Sequence, residues 1–179
     1  MISRRSFLKG AFFAAGAYGL AAISPPRGGA LNRSADRVLD LHNVHTGERI
    51  TTRYCADGCY DEKELGRIDY LLRCHYSNTV KHIDRKVIDL LCDIKDRLAP
   101  GKEITIISGY RSPEYNAHLR RLGRHVAAAS LHMEGLAIDF AINGVAMAEA
   151  YRTARGFGAG GVGKYPDFIH IDVGRVRYW

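Results

Sequence analysis

Three side chains of types that bind metal ions stand near the end of the chain. Asp139 and His170 each interrupt a short apolar run, and His132 precedes Asp139, with Gly135 between them. Imidazole and carboxylate groups bind zinc readily, whereas a carboxylate without a partner is costly to bury in an apolar strand. If the two runs are adjacent antiparallel strands, the three side chains meet and predict a zinc site with three protein ligands.

An alternative explanation needs no metal. In it, His132 lies on a surface loop, Asp139 caps a helix or turn, and His170 is a core histidine with one hydrogen bond. The spacing of these residues does not decide between the zinc site and this alternative, because spacing along the chain does not show which distant segments are neighbours in the fold.

The rest of the chain predicts a mixture of strands and helices. Alternating residues predict a hairpin over 37–42 and 49–54, and β-branched residues predict a strand over 103–107. Helical spacing predicts amphipathic helices from Asp61 to near Cys74, from Asp84 to Pro100, from Ser112 to Leu122 and over 145–155. The glycine-rich segment 156–163 lacks the ending of a phosphate loop, and we expect a flexible loop at the edge of a cleft.

Arg111 falls between the strand over 103–107 and the helix that starts at Ser112. A guanidinium group at such a junction can point into a cleft and hold a carbonyl or carboxylate of a substrate. The alternative is an ion pair with an acid on the surface.

Four ordered motifs resemble the D-Ala-D-Ala metallopeptidase superfamily, which includes the hedgehog-like zinc proteins, and most of all its branch of MepK-type murein endopeptidases. They are Ser108-Gly-Tyr-Arg-Ser112, Ser130-x-His132-x₂-Gly-x-Ala-x-Asp139, Phe168-Ile-His-Ile-Asp-Val-Gly174 and Arg175-Val-Arg-Tyr-Trp179. The resemblance covers nearly everything after residue 36. It implies an α+β fold in which a small antiparallel sheet carries the metal ligands and packs with three to four helices.

The resemblance also implies a site. One Zn²⁺ would be bound by His132, Asp139 and His170, and such an ion activates water for attack on a carbonyl. Arg111 would stabilise the oxyanion and, with Ser130 and Tyr110, would contact the substrate.

Two aspartates are candidates for the general base. Asp167 stands three residues before His170, where the dipeptidase relatives have a glutamate, which is one methylene longer. Asp172 lies two residues after His170, so a strand would place it on the same face as a partner of that histidine or as the base.

The implied substrate is peptidoglycan, cut at crosslinks such as D-Ala–diaminopimelate or diaminopimelate–diaminopimelate bonds. A D-alanyl-D-alanine carboxypeptidase or dipeptidase is the nearest alternative. A non-catalytic wall-binding domain with structural zinc is an alternative of a different class.

The first 30 residues predict export. Arg4 and Arg5, followed by Phe-Leu-Lys and an apolar run too short for a comfortable membrane span, resemble a twin-arginine signal. We therefore expect a signal over 1–30, a peptidase domain over 31–179, a partner in the twin-arginine export machinery and a periplasmic monomer, with a retained anchor as the alternative. Removing the four basic residues of 1–30 lowers the formal net charge from +7 to +3, which does not favour nucleic-acid binding.

Four cysteines follow the signal: Cys55, Cys59, Cys74 and Cys92. In an oxidising compartment an even number favours disulfides, whose pairing the sequence does not reveal. Partly buried thiols are one alternative. A Cys₄ zinc site is another, although the spacings are not of the paired Cys-x₂-Cys type.

Overall fold

The computed structural model describes residues 36–124 and 126–179, which form one mixed sheet and four α-helices. The strands are β1 (Arg37–Asn43), β2 (Arg49–Ala56), β3 (Cys59–Tyr60), β4 (Ile104–Ser108), β5 (Ala137–Ile142), β6 (Gly161–Lys164), β7 (Ile169–Asp172) and β8 (Arg177–Tyr178). The helices are α1 (Glu62–Leu71), α2 (Arg85–Leu98), α3 (Pro113–Arg121) and α4 (Met147–Phe157), and a short 3₁₀ helix spans Leu131–Glu134. The predicted signal over 1–30 lies outside the described residues. Within them, no helix combines the length and the apolar character needed to cross a bilayer.

The sheet has the strand order β3-β2-β1-β4-β5-β7-β6-β8. Its strands are antiparallel except for the pairs β1/β4 and β6/β8. The first parallel pair arises because the chain passes through α1 and α2 before it returns as β4, and parallel strands need such a crossover. The α+β class is confirmed. The sheet has eight strands and is mixed. The strands β4, β5, β7 and β6, which include the two that carry candidate ligands, pair antiparallel as predicted.

The helix starts follow the polar residues that the sequence indicated. Asp61 accepts hydrogen bonds from the amides of Lys63 and Glu64, Asp84 accepts one from Lys86, and Ser112 accepts one from Tyr115. Each bond satisfies an amide that has no partner within its helix. Three of the predicted helix starts are therefore confirmed, whereas α4 begins two residues later than the pattern suggested, at Met147.

The core lies between the sheet and α2. The apolar face of α2 is buried together with the isoleucines of β5 and β7. Because side chains alternate along a strand, Ile138 and Phe140 lie on the core side of β5 whereas Asp139 lies on the opposite side. The same alternation places His170 opposite the two isoleucines of β7, so both polar side chains leave the sheet on the face away from α2.

All four cysteines are free thiols, so the disulfide prediction is wrong in this structure. Cys55 pairs in register with Tyr60, whereas Cys59 pairs with Ala56, which directs the two thiols to opposite faces of the β2–β3 ribbon. Cys92 lies in the core, and its burial raises the pKa of the thiol to about 11. Buried thiols, the alternative to disulfides, fit three of the four positions.

Candidate metal centre

The three predicted ligands meet on one face of the sheet. β5 and β7 are neighbours, and their register sets Asp139 directly opposite His170. The 3₁₀ helix before β5 brings His132 to the same place. His170 Nδ1 lies 2.8 Å and His132 Nε2 lies 3.2 Å from Asp139 Oδ1, and the two nitrogens are 3.2 Å apart. Among the described residues, this is the only cluster of three or more side chains with metal-binding atoms this close together.

Gly135 makes the turn that joins the 3₁₀ helix to β5. Its φ of 72° lies in the left-handed region, where glycine is favoured. A Cβ atom at this position would also overlap the carbonyl oxygen of His82. Gly135 therefore makes the turn that places His132 over the start of the strand.

In each of the two histidines, one ring nitrogen faces Asp139 and the other points away from it; we call them the inner and the outer nitrogen. The hydrogen bond of the outer nitrogen determines whether the inner nitrogen of a neutral ring carries a proton. His132 Nδ1 lies 2.8 Å from the carbonyl oxygen of Gly109, which can only accept, so Nδ1 donates. His170 Nε2 lies 3.0 Å from Asp172 Oδ2 and donates to that carboxylate. Each inner nitrogen therefore turns a lone pair towards Asp139. Three acceptor atoms with no hydrogen between them repel one another, and a bound cation is the natural partner for them.

The pKa shifts describe the same cluster in its other state, in which protons on the inner nitrogens take the place of a metal ion. Burial alone would raise the pKa of Asp139, but the charge and hydrogen bonds of His132 and His170 lower it well below its usual range. Burial would lower the pKa of His170, but hydrogen bonds to Asp139 and Asp172 raise it. Both shifts favour added positive charge at this point, as a cation site requires.

Asp172 lies behind His170 and is fully buried. Its Oδ1 accepts from the amides of Gly161 and Gly174 at 3.0 and 2.9 Å, and Arg177 Nη2 lies 2.8 Å from Oδ2. Burial opposes ionisation, but these donors, with His170, lower the pKa of Asp172 to about 2. The carboxylate is thus ionised, and its oxygens are taken up by hydrogen bonds on the side of His170 that faces away from the cluster.

A cavity of about 190 Å³ opens over the cluster. Arg111 lines it and is 8% exposed, with Nη2 3.8 Å from Asp139 Oδ2. Its Nε is buried without a hydrogen-bond partner among the described residues. Ser130 also lines the cavity, and its hydroxyl makes no capping bond to the 3₁₀ helix.

Tyr110 and Asp167 lie elsewhere. The ring of Tyr110 packs against the core with Lys81 Nζ 5.8 Å from its centroid, and Tyr110 is not among the residues that line the cavity. Asp167 is exposed in the turn between β6 and β7 and does not line the cavity either. The structure thus gathers Arg111 and Ser130 around the cluster and leaves these two residues outside it.

Trp179 and Arg177 line the cavity but received no role from sequence reasoning. The Trp179 ring centroid lies 5.3 Å from that of His170, and its Nε1 donates to the Tyr165 hydroxyl at 3.1 Å. Arg177 lies 5.0 Å from the Trp179 ring. The final motif, Arg175–Trp179, was the only signal for them, since isolated aromatic and basic residues rarely indicate a functional site.

The glycine-rich segment is not the flexible loop that we expected. Its first residues end α4, and Gly161–Lys164 is strand β6 between β7 and β8. A Cβ at Gly163 would lie 2.5 to 2.7 Å from three atoms of the Trp179 indole. Gly161 and Gly163 therefore leave room for side chains of the site that lie against the strand, whereas Gly158 ends α4 in the left-handed region.

Gly163→Ala is therefore expected to push Trp179 off the strand. Overpacking of this kind costs about 1–3 kcal/mol of stability. Trp179 is the only tryptophan of the chain, so its fluorescence emission reports the displacement directly. The control is Gly66→Ala, because nothing lies within 4 Å of a Cβ there; in the middle of α1 it should add about 1 kcal/mol of stability. Unchanged emission and stability in Gly163→Ala would contradict the predicted crowding.

A buried His–Asp–His cluster beside an arginine and under a cavity is the kind of site that metallopeptidases use. The sequence profile of the family described as peptidoglycan L,D-endopeptidase MepK matches residues 32–179. The chain is 38% identical to the peptidoglycan L,D-endopeptidase MepK of Escherichia coli strain K12 over 165 residues, which cover 91% of each chain. It is 37% identical over 163 residues to the "Probable peptidoglycan L,D-endopeptidase MepK" of Haemophilus influenzae, covering 89% of this chain and 83% of the relative.

The chain belongs to the MepK family of peptidoglycan L,D-endopeptidases, within the D-Ala-D-Ala metallopeptidase superfamily. The predicted superfamily and branch are confirmed, and with them the class of enzyme, a metallopeptidase.

Proposed function

We propose that the protein is a zinc-dependent murein endopeptidase that hydrolyses amide bonds in the peptide crosslinks of peptidoglycan. His132, Asp139 and His170 would hold one Zn²⁺. The observation that carries the proposal is the pair of outer hydrogen bonds, to the Gly109 carbonyl and to Asp172, which in the neutral form of each ring leaves the inner nitrogen able to bind a metal ion beside a carboxylate.

Two imidazoles and one carboxylate form a donor set typical of catalytic zinc. When bound, the ion supplies Lewis-acid chemistry, which activates water and polarises a carbonyl. The name of the relatives specifies an L,D-endopeptidase. Of the two crosslinks considered, this name favours the diaminopimelate–diaminopimelate bond, which joins an L centre to a D centre.

The residues of the chain itself have separate tasks in this proposal. Arg111 directs its guanidinium group at the cavity and would hold the oxygen of the scissile carbonyl as charge develops on it. Ser130 would orient the peptide by a hydrogen bond. Asp172 would act as a positioning residue through His170, because its carboxylate has no free side that faces the cavity. Asp167 stays a prediction for the base; its exposed turn would have to approach the substrate.

Mass spectrometry of products from defined crosslinked muropeptides, incubated with zinc-loaded protein, tests the proposal. Release of the two uncrosslinked stems, loss of this activity with a chelator and recovery with zinc are expected. Removal of only a terminal D-Ala would identify a carboxypeptidase. Binding to sacculi without any product would identify a non-catalytic wall-binding domain. In Asp167→Asn, an unchanged rate would remove Asp167 from the mechanism.

Arg111→Ala is expected to lower kcat/KM by about 100-fold, because a donor to the developing oxyanion is lost. Zinc content should stay near that of the wild type, since Arg111 is not a proposed ligand. Steady-state kinetics together with metal analysis separates these effects. Arg53→Ala, which removes an exposed arginine paired with Asp36, is the control. A full loss of zinc in Arg111→Ala would contradict the assigned role.

We further propose that the protein is a periplasmic monomer exported by the twin-arginine machinery. The family acts on a cell-wall polymer, which agrees with a site outside the cytoplasm, and the paired arginines at positions 4 and 5 support the route. Cell fractionation of the wild type and of a variant with both arginines changed to lysine tests the route, and light scattering tests the monomer.

A further inference from the structure

Five aromatic rings form a contiguous row beside the proposed active site, with three stacked contacts and one edge-to-face contact. We call it the aromatic ladder. Its rings, in order, are those of His45, His75, Tyr115, Tyr76 and His118. Successive ring centroids are 3.8, 4.8, 5.0 and 5.2 Å apart.

Three separate segments supply these rings. His45 comes from the turn between β1 and β2, His75 and Tyr76 come from the chain after α1, and Tyr115 and His118 come from α3. His45 Nε2 lies 3.0 Å from the carbonyl oxygen of Ile107 and is anchored by it. Tyr76 is 53% exposed although it stacks on two neighbours. A stack that leaves such a large apolar ring in water is a candidate binding surface.

The ladder continues the cavity over the metal cluster. A second cavity, of about 280 Å³, is lined by His45, His75 and Tyr115. Arg111 and Asp139 line both cavities. A ligand that fills the first cavity can therefore extend into the second and meet three rings of the ladder there, whereas Tyr76 and His118 lie beyond the lining of both cavities.

The chemistry of the ladder fits a carbohydrate. A pyranose ring has a C–H face that packs on an aromatic face, and its hydroxyl groups need donors and acceptors at the rim, which phenol and imidazole provide. Burial, with His45 and Arg111 nearby, lowers the pKa of His75, so its ring is neutral at neutral pH.

An extended peptide fits this surface less well. Peptides commonly bind by adding a strand to an open sheet edge, where unpaired amides and carbonyls are available. The edges of this sheet are β3 and β8. The ladder is built from a turn, a connecting segment and a helix, and it presents ring faces instead of a strand.

We propose that the aromatic ladder is a carbohydrate subsite that binds the N-acetylated hexosamine rings of a peptidoglycan strand whose peptide occupies the neighbouring cavity. The proposal rests on the proposed murein endopeptidase function. It adds a second determinant of substrate choice, one that recognises the sugar and not the scissile bond.

Binding of a β-1,4-linked tetramer of N-acetylglucosamine to the zinc-loaded protein, measured by calorimetry, tests the subsite directly. Tyr76→Ala should weaken this binding by about ten-fold, whereas Tyr76→Phe, which keeps the ring face, should retain most of it. Tyr70→Ala is the matched control, since Tyr70 is 52% exposed on α1 and is not one of the five rings of the ladder. Equal affinity of Tyr76→Ala and the wild type, or no binding by the wild type, would overturn the proposal.

Kinetics separates the subsite from the proposed function. The ratio of kcat/KM for a crosslinked muropeptide that carries its disaccharide over the same crosslinked peptide without sugar should exceed one. In Tyr76→Ala this ratio should fall towards one, because the sugar contact is lost while the peptide contacts remain. If neither substrate is cut, the proposed function fails while tetramer binding still decides the subsite. If kcat/KM falls equally for both substrates in Tyr76→Ala, the ladder contacts the peptide and the carbohydrate assignment is wrong.

Discussion

Asp139→Asn is expected to abolish zinc binding and peptidase activity while the fold is retained. Asp139 Oδ1 is the atom that both histidines approach, and the residue supplies the only negative charge of the proposed ligand set. An amide has nearly the same shape but no charge, and it places a donor or a weaker acceptor at this point. Metal content should fall from about one ion per chain to background, and kcat/KM should fall on the order of 10³-fold or more.

Thermal unfolding adds a readout that does not depend on activity. A ligand that binds only the folded state raises its stability, so zinc should raise the Tm of the wild type and leave that of Asp139→Asn unchanged. Asp40→Asn is the control, because Asp40 is a half-buried strand aspartate on β1, away from the cluster. A variant at position 139 that still binds one zinc with wild-type affinity would end the assignment of this residue as a ligand.

The convergence of His132, Asp139 and His170 could be predicted because two physical signals coincide in the sequence. A polar residue inside an apolar run must be compensated, and Asp139 and His170 each break such a run. Gly135 marks the sharp turn that returns His132 to the strand. These signals are local, and only one long-range fact, the pairing of β5 with β7, was needed to join them.

Other features depend on contacts that no local pattern encodes. The glycine-rich segment gave a wrong prediction because glycine disfavours strands, whereas here the indole of Trp179 leaves room for nothing larger than Gly163. The sheet is mixed because a crossover through α1 and α2 returns the chain beside β1. The thiols stay unpaired because register sends Cys55 and Cys59 to opposite faces.

The role of Asp172 shows the limit of strand alternation. The period of two correctly placed Asp172 on the face of His170, which left it open as a base or as a partner. Its carboxylate is filled by two backbone amides and Arg177, and those donors come from β6 and from the segment after β7. A carboxylate enclosed in this way holds an imidazole in place but has no lone pair left to face a substrate.

Asp172→Asn is expected to weaken zinc binding by about 100-fold, with a comparable loss of activity. An asparagine here faces two kinds of donor. If its oxygen turns to His170 Nε2, its amino group meets the amides of Gly161 and Gly174. If its amino group turns to His170, Nε2 must accept instead of donate, so the ring proton moves to Nδ1. The lone pair that faces the cluster is then lost. Competition titration against a zinc chelator measures the change in affinity.

Arg177→Ala provides the graded comparison that makes the prediction specific. It removes one donor to Asp172 but leaves the carboxylate with the two amides and His170, so the affinity should fall only about ten-fold. A positioning role therefore predicts that zinc affinity decreases in the order wild type, Arg177→Ala, Asp172→Asn, with activity following affinity and recovering at saturating zinc where the ion can still bind. If Asp172→Asn instead keeps wild-type zinc affinity and loses only kcat, Asp172 acts on the substrate as the base, and its enclosed carboxylate must open during the reaction.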